Sequence, residues 1–163
     1  LFPDPETYFG DQPLFEIILA RYREKAQGLF YSAFPNAPET LNEFKQNGLI
    51  QGIVTNRIKM VKERLEQGKY PELDFLLSPR GKENAKPNPQ AFQEALLFLK
   101  VKDIEKSEIL SVGDHPDDYQ ASHGAGLKFV AVLTGLYTRE EFLELGLEND
   151  SIIDSLEELK KLV

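Results

Sequence analysis

Five short apolar runs, each closed by a polar or glycine-bearing turn, constrain this chain more than any other feature. They lie at 49–54 (LIQGIV), 74–78 (DFLLS), 109–112 (ILSV), 127–133 (LKFVAVL) and 151–153 (SII). None alternates strictly between apolar and polar residues, so both faces of each strand are destined for burial. That is the pattern of a parallel sheet covered by helices on both sides. The segments between the runs carry helix grammar. Pro38 suits a first helical turn, Leu41 and Phe44 share a face, and Gly48 stops that helix. Ile58, Val61 and Leu65 mark a second helix, closed by Gly68. Asn88 can cap a third, with Pro89 at its first position and Phe92, Leu96 and Leu99 as its stripe. Thr138 with Glu141, and Ser155 with Glu158, each fit a capping box that opens one of the last two helices. The fold class predicted is α/β with a mostly parallel sheet.

Residues 1–34 differ in character, being helical or irregular and rich in aromatics. Leu14, Ile18, Tyr22 and Ala26 recur at i, i+4 spacing, which predicts an amphipathic helix over 13–27. No apolar stretch approaches the ~20 residues that a membrane helix needs. The absence of cysteine excludes disulfides and thiolate metal sites, and fits a reducing cytoplasm. A formal charge of −8 argues against nucleic acid as the main partner, because phosphate backbones call for a basic surface. An acidic protein can still handle an anionic substrate if a bound cation neutralises the site. There is no Gly-x-Gly-x-x-Gly after a strand, no phosphate loop ending Gly-Lys-Ser/Thr and no Gly-x-Ser-x-Gly. Dinucleotide enzymes, P-loop nucleotidases and serine hydrolases are thereby disfavoured.

Three strand ends or helix entries carry candidate chemistry. In "ILSVGDHPDDYQASHGAGL", 109–127, three carboxylates and an imidazole crowd the exit of a buried strand. Asp114 or His115 could cap the following helix, with Pro116 in its first turn and Asp117 and Asp118 complementing its dipole. Equally, a carboxylate directly after Gly113 points into the crevice where open parallel sheets bind ligands, and Mg²⁺ favours oxygen donors there. In "GIVTNR", 52–57, Thr55 and Asn56 end another strand. They serve either as a helix cap or as neutral donors to a phosphate oxygen. In "GKENAKPNPQAF", 81–92, Lys86 is either one more solvated lysine or an ammonium held by a stiff Lys-Pro turn.

In this order, strand–Thr-Asn, then Lys-Pro before a helix, then strand–Gly-Asp-x-x-x-Asp, the chain resembles the haloacid dehalogenase superfamily of phosphohydrolases. The nearest likeness is to its phosphoglycolate-phosphatase-like branch with a helical cap. The segments "PETLNEFKQNGLIQGIVTN", "KPNPQAF", "VGDHPDDYQASHGAGL", "VLTGLYTREEF" and "IIDSLEEL" carry it from about 35 to 163. The resemblance implies a three-layer Rossmann-like core with a parallel sheet, plus a partial helical cap. It implies a Mg²⁺-dependent phosphatase acting on a small phosphomonoester through an aspartyl-phosphate intermediate. Thr55 would bind the transferring phosphoryl group with Asn56 beside it. Lys86 would bridge that group and the nucleophile, Asp114 would ligate Mg²⁺, and Asp118 would orient metal water or Lys86. Asp117 is a weaker candidate, His115 a loop or substrate-side residue, and His123 a surface residue.

One departure matters. The family's nucleophile and general acid/base are two aspartates in an Asp-x-Asp motif ending the central strand near the N-terminus. Asp4-Pro5-Glu6-Thr7 has the wrong spacing and no apolar strand before it. The resemblance therefore places 1–34 in the second part of the cap and its linker, and 35–163 in a core lacking its first strand. On that alignment the strands at 50–54 and 109–112 flank the missing one and are not bonded to each other, and the 163 residues alone are inactive. The alternatives are a non-catalytic binding or scaffold domain of the same fold, or a phosphomutase or phosphonatase.

Overall fold

The computed structural model of the chain describes residues 17, 18, 20, 21, 31–57 and 60–163. The chain divides into two compact units, Leu1–Ser32 and Ala33–Val163. In the first, Ile17, Ile18, Ala20 and Arg21 are helical. The remainder of the helix expected over 13–27 lies outside the described residues.

The second unit alternates strands and helices as the apolar runs predict. Its elements are α1 (Ala37–Gln46), β1 (Gly52–Val54), α2 (Val61–Gln67), β2 (Phe75–Leu77), α3 (Gln93–Val101), β3 (Leu110–Gly113), α4 (Pro116–Gly124), β4 (Lys128–Val132), α5 (Arg139–Glu144) and β5 (Ile152–Ile153). A 3₁₀ turn, Pro89–Phe92, leads into α3, and a 3₁₀ helix, Leu156–Lys161, follows β5. All ladders are parallel. One sheet pairs β1 with β2, and the other runs β3-β4-β5. No ladder joins β1 to β3 among the described residues.

Strand β4 shows why its run reads as continuously apolar. Val130 and Val132 bury against Phe44 of α1, Ile153 and Leu159, whereas Phe129 and Ala131 bury against Phe142 of α5, Leu147 and Ile152. Successive side chains of a strand leave on opposite faces, so a strand covered on both sides needs apolar residues at every position. A third cluster joins Phe92, Ala121, Ala125 and Leu127, with Val54, Leu96 and Ile109 packed on it. It seats α4 against the 3₁₀ turn before α3. The result is a layered α/β fold with helices on both faces of the β3–β5 sheet.

The caps follow the sequence with one exception. Asn88 accepts from the Gln90 N–H at 2.9 Å, with Pro89 leading the turn. Thr138 and Glu141 form the reciprocal box that opens α5. Ser155 and Glu158 do not. The Ser155 side chain makes no capping bond, and Glu158 Oε1 accepts from the Asp154 N–H instead. Glu158 has reached one residue further back than the box requires, and the segment winds as 3₁₀ rather than α.

Candidate active site at the strand ends

Lys86 is the residue on which the elements converge. Its ammonium donates to Asp118 Oδ1 at 2.5 Å and to the Val54 carbonyl at 2.9 Å. Val54 is the last residue of β1, and Asp118 lies in the first turn of α4, directly behind β3. The two side chains are only 14% and 15% exposed. The solvated-lysine reading of Lys86 therefore does not hold. A buried ammonium is tolerable only when paired and hydrogen-bonded, and this one has both a carboxylate and a carbonyl.

The backbone of Lys86 is held as well. Asn56 Nδ2 donates to the Lys86 carbonyl at 2.9 Å, and the Lys86 N–H donates to Asn56 Oδ1 at 3.0 Å. Thr55, between Val54 and Asn56, continues the β1–β2 ladder through its N–H to the Leu77 carbonyl. Its hydroxyl oxygen accepts from the Arg57 N–H at 3.1 Å, which leaves the hydroxyl proton available to a ligand.

At the end of β3 the capping role falls to His115 and not to Asp114. His115 is the N-cap of α4, its Nδ1 accepting from the Asp117 N–H at 3.0 Å, and Pro116 opens the helix. On the other side of the ring, His115 Nε2 lies 3.2 Å from the Tyr137 hydroxyl oxygen. The rings meet edge-on at 4.7 Å. Capping by His115 relieves Asp114 of that task. Asp114 is exposed, and no hydrogen bond to its carboxylate occurs among the described residues. It is the acid here best suited to a hard cation. Asp117 turns toward His115, its Oδ2 3.6 Å from Nδ1. No group of three metal-ligating side chains converges among the described residues.

A sequence profile of the haloacid dehalogenase-like hydrolases matches residues 6–132. The chain belongs to this family. Curated relatives include the pyrophosphatase PpaX of Bacillus cereus (strain B4264), 34% identical over 123 residues, which cover 74% of this chain and 55% of the relative. The chain thus spans about half the length of the curated relatives it matches. Among solved structures, a candidate phosphoglycolate phosphatase from Lactobacillus delbrueckii subsp. bulgaricus superposes with a TM-score of 0.76 at 21% identity. The match covers 97% of this chain and 65% of that one. CbbY of Rhodobacter sphaeroides, in complex with xylulose-1,5-bisphosphate, gives a TM-score of 0.63 at 21% identity, covering 86% of this chain and 61% of that one. These likenesses carry the fold of the haloacid dehalogenase-like family.

Of the residues singled out from the sequence, hydrogen bonds tie Asn56, Lys86, Asp118 and the end of β1 together. Thr55 and Asp114 stand beside this group at the carboxyl ends of β1 and β3. His123 is exposed on α4, with its ring 5.7 Å from that of Tyr119. The sequence marks Gly113 only as the residue before Asp114, and Gly135 not at all; the close approach each makes is visible in the structure alone. A Cβ on Gly113 would lie 2.5 Å from the Asp118 Cβ, and one on Gly135 would lie 2.8 Å from the Asp114 Cβ. Gly113 lets the end of β3, and Gly135 the loop after β4, pass against a site carboxylate. Gly135 falls inside "VLTGLYTREEF", but a close approach of backbone to side chain leaves no local signature.

Proposed function

We propose that the protein carrying this chain is a Mg²⁺-dependent phosphatase acting on a small phosphorylated metabolite. The observation that carries this is the Lys86 ammonium, buried between Asp118 and the Val54 carbonyl where β1 ends and α4 begins behind β3. An ammonium fixed at that crevice can offset the charge of a phosphoryl group without rearranging as the charge redistributes. The Thr55 hydroxyl would donate to a phosphoryl oxygen, and Asp118 would hold Lys86 in place. The donor set suits Mg²⁺, which takes one or two carboxylates and fills its octahedron with water and substrate phosphate. Asp114 would be the ligand from this chain. Mg²⁺ bound there would supply charge neutralisation at the phosphate oxygens.

The nucleophile would be an aspartate of an Asp-x-Asp motif on a strand lodged between β1 and β3. Residues 1–34 would form part of a helical cap and its linker, and 35–163 the remainder of the core. The aspartate oxygen would form a bond to phosphorus as the bond to the leaving alcohol breaks. Water would then attack the aspartyl-phosphate, returning the carboxylate and releasing orthophosphate. The relatives named as pyrophosphatases support a second substrate class, an inorganic or organic diphosphate, handled by the same residues. The cysteine-free sequence is compatible with a reducing cytoplasm.

Orthophosphate release by the full-length protein from phosphomonoesters and from pyrophosphate, with and without Mg²⁺, tests this reading. Release that depends on Mg²⁺ supports it and ranks the two substrate classes. A folded, Mg²⁺-binding protein that releases orthophosphate from neither would leave the non-catalytic scaffold reading standing.

A further inference from the structure

We infer that Asn56 is a positioning residue whose task is to lock the Lys86 peptide, rather than a ligand of the phosphate. Its side-chain amide has one donor edge and one acceptor edge, and the N–H and C=O of a single non-proline residue, from the two peptide units that flank its Cα, offer the complementary pair. At 2.9 and 3.0 Å the two match, donor to acceptor in both directions. Only one orientation of the amide satisfies both bonds, so the pairing also fixes which way Asn56 points.

The consequence lies in how a lysine is immobilised. Four rotatable bonds separate the Lys86 backbone from its ammonium, and an unrestrained lysine samples many rotamers. Here the ammonium end is tied to Val54 and Asp118, while the backbone end is tied to Asn56, two residues beyond Val54. Both ends of the side chain are therefore anchored on one strand terminus. The ring of bonds runs from Val54 through Thr55 to Asn56, across to the Lys86 backbone, and back along the lysine to Val54. Thr55, the proposed hydrogen-bond donor to the phosphoryl group, is a member of that ring. The two candidate phosphate-contacting groups thus move as one unit. A carboxylate at 56 could accept from the Lys86 N–H but could not donate to its carbonyl, and glutamine would be one methylene too long for the same ring.

The catalytic meaning of this lock rests on the phosphatase reading, but the lock itself does not, and the test separates them. In the full-length protein, the rate at which an amine-acylating reagent labels Lys86 and the exchange rate of the Lys86 amide proton are compared in wild type, Asn56→Ala and Asn56→Asp. Asn56→Ala is expected to raise both rates about tenfold or more, because local opening replaces two bonds with solvent. Asn56→Asp, nearly isosteric, is expected to fall between the two. Exchange at Val130 in β4 reports whether the fold is intact. Should Asn56→Ala not fold, Asn56→Asp carries the same comparison. Unchanged labelling and exchange at Lys86 in folded variants would overturn the inference. So would weakened binding of inorganic phosphate by variants whose Lys86 rates stay at the wild-type level, since Asn56 would then be a ligand. A loss of labelling protection in a protein without phosphatase activity would sustain the lock and reject the enzyme.

Discussion

Lys86 Nζ lies 2.5 Å from Asp118 Oδ1, across an interval of 32 residues, with both side chains largely withdrawn from water. Removing one partner strands the other's charge. Lys86→Met or Asp118→Asn alone is therefore expected to cost about 3 kcal/mol in urea unfolding, a loss typical of a broken buried pair. The double variant should cost less than the sum by at least ~1 kcal/mol, because neither charge is left alone. Strict additivity would mean that the two groups do not depend on each other.

Two glycines separate the Lys86–Asp118 pair from Asp114, the proposed Mg²⁺ ligand. Gly113→Ala drives a Cβ to 2.5 Å from the Asp118 Cβ, an atom too close to the backbone to swing away. Gly135→Ala crowds Asp114 instead, at 2.8 Å from its Cβ. Each overpacking is expected to cost about 1–3 kcal/mol. Gly113→Ala should raise amine labelling of Lys86, whereas Gly135→Ala should leave Lys86 protected and weaken Mg²⁺ binding. Identical behaviour of the two variants would contradict this division.

The fold was far more legible in the sequence than the site. A strand buried on both faces must be apolar throughout, as the 129–132 stretch of β4 is, and so it announces itself. The Thr138 box is local and forms as read, while the Ser155 box, equally local, loses Glu158 to the neighbouring Asp154 N–H. Lys86 reads as an ordinary lysine because its burial comes from Asp118 and Val54, each 32 residues away in sequence. Asn56 reads as a ligand or cap because its partner is a backbone peptide, and backbone partners carry no residue code. The family resemblance, not the residues' spacing alone, points to both.

Asp114 owes its availability to His115, which takes the N-cap of α4. Calorimetry on the intact protein should show Mg²⁺ affinity lost or greatly weakened in Asp114→Asn, since one hard carboxylate ligand becomes a neutral amide. His115→Ala should leave the affinity nearly unchanged while lowering stability by about 0.5–2 kcal/mol, the usual cost of a lost cap. Wild-type affinity in Asp114→Asn would return the 113–118 turn to a purely structural role.

Activity should discriminate between lysines that look alike in sequence. In the full-length protein Lys86→Ala is expected to slow orthophosphate release by ~10²–10³, the usual loss when a preorganised charge at a developing transition state is removed. Lys82→Ala should cost little. The 163 residues alone, which contain no Asp-x-Asp, should not hydrolyse a generic aryl phosphate with Mg²⁺. Turnover by them would put the nucleophile on a residue such as Asp4. Equal losses at Lys82 and Lys86 would displace the motif.

The open edge of β1 gives the sharpest test of where the nucleophile strand belongs. In a parallel strand, alternate residues direct their N–H and C=O groups to opposite neighbours. The Gln51 carbonyl and the Thr55 N–H bond toward β2, so Gln51, Ile53 and Thr55 face that side. Gly52 and Val54 then face away, as the Val54 carbonyl does in accepting from Lys86. Backbone donors inside a core must be paired, so a strand lodged there would have to take the Gly52 and Val54 N–H groups. In the 163-residue chain these two amides are expected to exchange fast while those of Ile53 and Thr55 are protected. In the full-length protein all four should be slow. Fast exchange at Gly52 and Val54 in the full-length protein would show that no strand fills that edge. The Asp-x-Asp mechanism proposed above would then have no place to act from.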